Sequence, residues 1–169
     1  MAARSAKARR RKKPKKVLPR PVVRPVVRPV VRTTLSDAER RLLALAQSVG
    51  AAVGDAGGLS TALRTLTAEY SAEAALPRAM SGAWLGSRKD KTAALALAWA
   101  REQVRVALRD VLERSRTRAT LAVDTDTLSW LLLAACEALA YEPMSAVADR
   151  VRVLFEITGA AAPSAPPSV

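Results

Sequence analysis

The chain has no histidine, a single cysteine and only six aromatic residues among 169. Each scarcity removes a class of chemistry. Without imidazole, Ser-His-Asp and Cys-His arrangements are impossible, and the commonest general base and a favoured metal ligand are missing. Cys136 alone cannot form an internal disulfide. Its place in the apolar run from Trp130 to Ala140 reads as that of a small buried hydrophobe. The motifs HExxH and CxxC and a phosphate-cradling loop ending in GK[ST] are absent. Gly54, Gly57 and Gly58 follow no strand pattern, so they do not form a dinucleotide-binding turn. Asp124 and Asp126 straddle a helix start, where the helix dipole favours carboxylates, and they read as capping residues. The expectation is a protein that is not an enzyme and that carries no cofactor or metal.

Long apolar runs are also lacking, and none approaches the roughly 20 residues of a membrane span. The basic start is not followed by the apolar stretch of a secretory signal, and the prolines from Pro14 onward interrupt the long amphipathic helix of a mitochondrial presequence. The expected location is the cytoplasm, on the nucleoid if the source is bacterial.

Acidic residues are missing from the first 32 positions. The whole chain has 28 Lys and Arg against 15 Asp and Glu, a net of +13. Residues 1–32 hold Arg4, Lys7, Arg9, Arg10, Arg11, Lys12, Lys13, Lys15, Lys16, Arg20, Arg24, Arg28 and Arg32, which are 13 cations. Residues 33–169 are therefore formally neutral, and the arm carries the entire excess. Residues 1–16 are a dense Lys/Arg block that self-repulsion keeps extended. Residues 19–32 read PRPVVRPVVRPVVR. Proline every fourth residue opposes both helix and central strand, and a polyproline II path at about 3.1 Å per residue would make a semi-rigid spacer some 40 Å long. An arm of this kind is expected to be disordered and to bind phosphates through counterion release. It has no aromatic residue for base stacking, and the Arg-Pro repeats match minor-groove hooks only loosely, since the central glycine is missing. Nucleic acid, with DNA favoured over RNA, is the first reading of its partner. Another polyanion, or a targeting tail of the KARRRKKPKK type, are the alternatives.

From Thr33 onward the period changes to that of helices. Ser36-Asp37-Ala38-Glu39 is a capping box, followed by Leu42, Leu43, Leu45, Ala46 and Val49 at helical spacing. A second helix is expected from about Ser60 to Leu76, ended by Pro77, with residues 78–86 a short connecting segment. A third is expected from about Arg88 to Arg118, capped by Ser87. Its first half, Thr92 to Ala100, is apolar all round, which predicts burial on several sides. Asp124 or Asp126 caps a fourth helix running through Glu142. A fifth, from about Met144 to Thr158, turns Met144, Val147, Val151, Leu154 and Phe155 inward and ends at Gly159. The body, residues 33–159, is thus expected to be an all-α bundle of about five helices, with residues 160–169 a short disordered tail.

The stretch from Leu121 to Leu139, with its Asp124-Thr-Asp126 opening and apolar continuation, follows a long helix and precedes a proline-led amphipathic one. This resembles the C-terminal ligand-binding and dimerisation domain of the tetracycline-repressor family of transcription regulators, over about residues 88–158. The resemblance implies a homodimer through the last two helices, with Leu128, Leu132, Leu139, Val147, Val151, Leu154 and Phe155 at the interface. It also implies a small-molecule cavity, for which Met80, Trp84, Trp99 and Trp130 are the candidate lining. For each tryptophan, plain burial in the core is the competing reading. The family's helix-turn-helix would precede the long helix. Residues 59–80 do not supply its short helix, turn and glycine pattern, and Pro77 falls inside the region. Either a degenerate reading head lies within residues 59–91, or the arm replaces it. The function implied is a dimeric DNA-binding regulator that uses the basic arm. The alternative is a packaging or scaffold protein whose body is a docking or dimerisation module.

Overall fold

The computed structural model describes residues 35–54, 57–115 and 123–161. The basic arm, residues 1–32, and most of the C-terminal tail lie outside them. The described residues contain six α-helices and no strand, so the fold is all-α. In chain order the helices are α1 (Asp37–Ala51), α2 (Gly58–Glu69), α3 (Ala75–Ser87), α4 (Lys91–Arg114), α5 (Thr125–Ala138) and α6 (Met144–Thr158). A single 3₁₀ turn, Leu139–Tyr141, continues α5. No described helix is long and apolar enough to cross a membrane.

Helix α1 begins as its sequence predicts. The Ser36 hydroxyl accepts the Glu39 N–H at 3.2 Å, and the Glu39 carboxylate accepts the Ser36 N–H at 2.7 Å. Two amides that have no partner inside the helix are thereby satisfied. Ala38, Leu42, Leu45 and Val49 then face the core at alternating spacings of four and three. This stripe lies along α4, whose own buried stripe is Leu97, Ala100, Val104, Leu108, Val111 and Leu112. Gly50 faces Ala107 of α4, and a Cβ placed there would make ordinary van der Waals contact with it at 4.0 Å. Helix α2 covers the pair with Leu59, Ala62, Leu63 and Leu66, and Tyr70 closes its end, 1% exposed.

Several boundaries differ from expectation, among them the ends of α4 at Arg114 and of α5 at Ala138. Helix α2 stops at Glu69, and Pro77 lies inside a further helix, α3. Proline is tolerated there because it occupies the third helical position, where its missing N–H has no intrahelical acceptor anyway. Residues 78–86 are therefore helical, and the helices number six. Helix α4 starts at Lys91, and its cap is Asp90, which accepts the Ala93 N–H at 3.0 Å, not Ser87. The apolar first half of α4 is also not buried all round: Leu95 is 71% exposed, and only the Leu97/Ala100 side faces the core.

At α5 the choice between the two aspartates is settled by geometry. Asp124 accepts the Thr127 N–H at 2.9 Å and the Thr127 hydroxyl at 2.7 Å, and these bonds hold its carboxyl below the ordinary value. Ser129, Leu132, Leu133 and Cys136 form the buried side of α5. In α6 only Leu154, Phe155 and Thr158 are buried. Met144, expected to point inward, is exposed because α6 meets the rest of the bundle chiefly through its last two turns. Gly159, at φ 65°, ends the helix, and the Ala160 N–H returns to the Phe155 carbonyl at 3.0 Å.

Candidate interaction groove

The 13 arm cations lie outside the described residues. Most of the body's charges are described, and about half of its described cations are paired with its own carboxylates. Among the described residues, seven cations make ion pairs: Arg40, Arg41, Arg101, Arg105, Arg109, Arg150 and Arg152. Arg105 is the most engaged. Its guanidinium reaches Glu102 on its own helix and both Asp126 and Ser129 on α5. These carboxylates raise the pKa of Arg105, and Arg105 lowers that of Glu102. Asp126, unlike Asp124, therefore serves the α4–α5 contact. Arg109 stands beside it, its buried Nε without a hydrogen bond and 3.6 Å from Glu113.

The polar centre of the α2–α4–α5 junction is an Arg101–Glu137 pair. Arg101 donates from Nε to Oε1 at 2.6 Å and from Nη2 to Oε2 at 2.7 Å. The bond to Glu137 raises the Arg101 pKa, against burial, which lowers it. The Tyr70 hydroxyl approaches the same carboxylate at 3.5 Å. Burial, with the charge of Glu137 added, pushes the Tyr70 phenol well above its ordinary range.

Two grooves open next to this pair, and Met80, Trp84 and Glu137 line both. The first, about 560 Å³, runs between α3 and α4. Its α3 wall is Met80 and Trp84, one turn apart, with Arg88 at the cap of α3 one turn further on. Its α4 wall is Lys91, Ala94, Leu97, Ala98 and Arg101. The alanines leave the space between the helices open. The second, about 460 Å³, lies on the other flank of Trp84 and is lined by Tyr70, Pro77, Leu85 and Tyr141 among others. Both volumes fall within the usual range for small-molecule sites.

All three tryptophans are exposed, Trp84 at 66%, Trp99 at 56% and Trp130 at 52%. The core reading is corrected for each of them, and they do not converge on one cavity. Met80 and Trp84 meet. Trp99 lines a separate shallow groove with Leu43, Ala46 and Val53 of the α1 side. Trp130 lines neither of the Trp84 grooves nor that of Trp99. A core built from aliphatic stripes on α1, α2 and α4 leaves these bulky rings outside.

The residues expected at an intersubunit face divide as well. Leu132, Leu139, Leu154 and Phe155 are buried within the chain itself, so a second copy could remove almost no further surface from them. Leu128, Val147 and Val151 are half-buried, and Leu128 and Val151 pack against the core. The apolar side chains that α5 and α6 actually expose are Trp130, Leu131, Met144, Val153 and Ile157.

Arg101, Glu137, Arg88 and Lys91 were not picked out by sequence reasoning. One signal did point to Glu137, which is the only charge in the helical run from Leu128 to Tyr141. A lone carboxylate there requires a cationic partner. Its identity, 36 residues away, requires the fold. Comparison with protein-family models, with curated proteins and with solved structures returns no match for the chain.

Proposed function

We propose that the chain is a nucleic-acid-binding protein of the dimeric regulator type. In this reading the arm of residues 1–32 supplies affinity for phosphates, and the helical body serves as the dimerisation and docking module. The observation that carries the reading is the charge partition. All 13 excess charges lie in the arm, while seven body arginines are neutralised by the body's own carboxylates. Affinity for a polyanion therefore rests mainly on a segment with no acid to compensate it. The fit of a second copy would come from the exposed side chains of α5 and α6.

The experiment is removal of residues 1–32 followed by binding to duplex DNA at low salt. Loss of nearly all affinity is expected, and unchanged affinity would refute the reading. A scaffold or packaging role is favoured by one observation, the exposure of all three tryptophans, since large exposed aromatics mark contact surfaces. Salt separates the two readings. A steep salt slope without sequence preference fits packaging, and sequence preference that survives high salt fits a regulator.

A further inference from the structure

The arm offers phosphate affinity but no ring on which a base can stack. The body offers the ring. Six described cations make no ion pair: Arg64, Arg78, Arg88, Lys89, Lys91 and Arg114. Three of the six fall within four residues, at the corner joining α3 to α4. Arg88 and Lys91 of that corner line the same groove as Trp84. Asp90 between them is committed to the Ala93 N–H, and Glu137 at the other end of the groove is held at two points by Arg101. The open end of the groove is therefore cationic, its α4 wall is largely alanine and leucine, and one flank is a mostly exposed indole.

We propose that this groove seats an unpaired nucleobase against Trp84, with Arg88 and Lys91 on the adjoining phosphates, so that the body adds single-strand selectivity to an unselective arm. This deepens, and rests on, the nucleic-acid reading given above. Stacking tolerates every base because each has a π face, whereas a paired base in a duplex offers none to an outside ring. The alternative occupant, an acidic amphipathic helix, needs a row of pits to receive its apolar anchors. Trp84 instead stands out between two grooves.

The test uses the full chain carrying Trp99→Phe and Trp130→Phe, which leaves Trp84 as the only indole. Single-stranded thymidylate and uridylate 12-mers should quench its emission strongly, and a 12-base-pair duplex should bind with little quenching. In the otherwise native chain, Trp84→Ala should weaken single-strand binding about tenfold, the size of one base–indole stack, and leave duplex binding within twofold. Trp84→Phe should restore part of the loss. Arg88→Gln with Lys91→Gln should lower the salt slope for the single strand. Because Trp84 is exposed, circular dichroism and the melting temperature should not change.

Equal effects of Trp84→Ala on both ligands, or none on either, would overturn the proposal. So would quenching by an acidic helical peptide without quenching by the oligonucleotides. If Trp84→Ala is silent while arm deletion still abolishes duplex binding, the groove proposal falls and the arm reading stands. If the full chain binds neither ligand, both fall.

Discussion

Arg101 on α4 and Glu137 on α5 meet through two parallel hydrogen bonds, 2.6 and 2.7 Å long, at the edge of the core. Their side chains are 31% and 21% exposed, so the pair is partly desolvated and each charge depends on the other. Glu137→Ala leaves Arg101 without its carboxylate and Tyr70 without its nearest acceptor. The expected loss is about 2 kcal/mol, below the 3–5 of a fully buried pair because water still reaches this one. Arg101→Met combined with Glu137→Leu should recover much of that loss. Urea denaturation of the two single variants and the double variant would show the coupling, and additive losses would mean that the bonds contribute little.

The buried and exposed leucines of the bundle should differ sharply. Leu63 is fully buried, and Leu63→Ala should cost about 2–5 kcal/mol from lost burial and the cavity left behind. Leu95, 71% exposed on α4, should tolerate alanine within about 0.5 kcal/mol. Chemical denaturation of the two variants compares them directly. A large loss at Leu95 would mean that the apolar first half of α4 is covered, by a second copy or by another partner.

How far the sequence reached depended on how local each cause is. The capping box at Ser36, the stop at Gly159 and the helical class follow from interactions within one or two turns, and they were legible in advance. Pro77 misled because a proline that ends one helix and a proline in the first turn of the next look alike without the chain path. The tryptophans misled for a related reason: the sequence places Trp99 and Trp130 on helices, but does not show whether another helix covers their faces. The groove itself depends on Ala94 and Ala98 standing opposite Met80 and Trp84, a juxtaposition that exists only after α3 and α4 pack.

Cys136 is free, buried, and has a thiol pushed up to about 12, chiefly by burial and then by the charge of Glu137. Native protein at pH 8 should therefore resist thiol reagents, while urea-unfolded protein should react quickly. The pH dependence follows from the same shift. The folded thiol titrates above the unfolded one, so its contribution to stability is complete below the unfolded value and declines as pH rises from about 9 toward 12. Tyr70 is raised as well and adds to the alkaline loss. Cys136→Ala should make the decline between pH 9 and 12 shallower, and an unchanged profile would mean that the thiol is not the group responsible.

In the dimer proposed above, a second copy sits on the exposed side chains of α5 and α6. Met144 and Ile157 are 67% and 43% exposed. Met144→Glu with Ile157→Glu should convert a dimer to a monomer without loss of helix content, since neither side chain belongs to the buried core. Light scattering at micromolar concentration measures the outcome. A dimer that persists in the variant would move the interface to Leu95 and Trp99, and a wild-type chain that is already monomeric would refute the dimer.

The arm's sequence divides into a Lys/Arg block and an Arg-Pro-Val-Val repeat, and the two halves should separate in a salt titration. Residues 4–16 carry nine of its cations and residues 19–32 the remaining four. Replacing the nine by glutamine leaves the Arg-Pro-Val-Val repeats intact. For duplex DNA, each phosphate no longer neutralised should reduce the slope of log affinity against log salt by about 0.9. If the block does most of the binding, the slope should fall by several units, and affinity at low salt should drop by orders of magnitude. Replacing each proline of residues 19–32 by glycine should leave the slope unchanged, because the charges are conserved. If the glutamine variant keeps its slope and the glycine variant loses affinity, then the arginines of the repeat are the binding element and depend on their prolines, and the dense block serves another purpose.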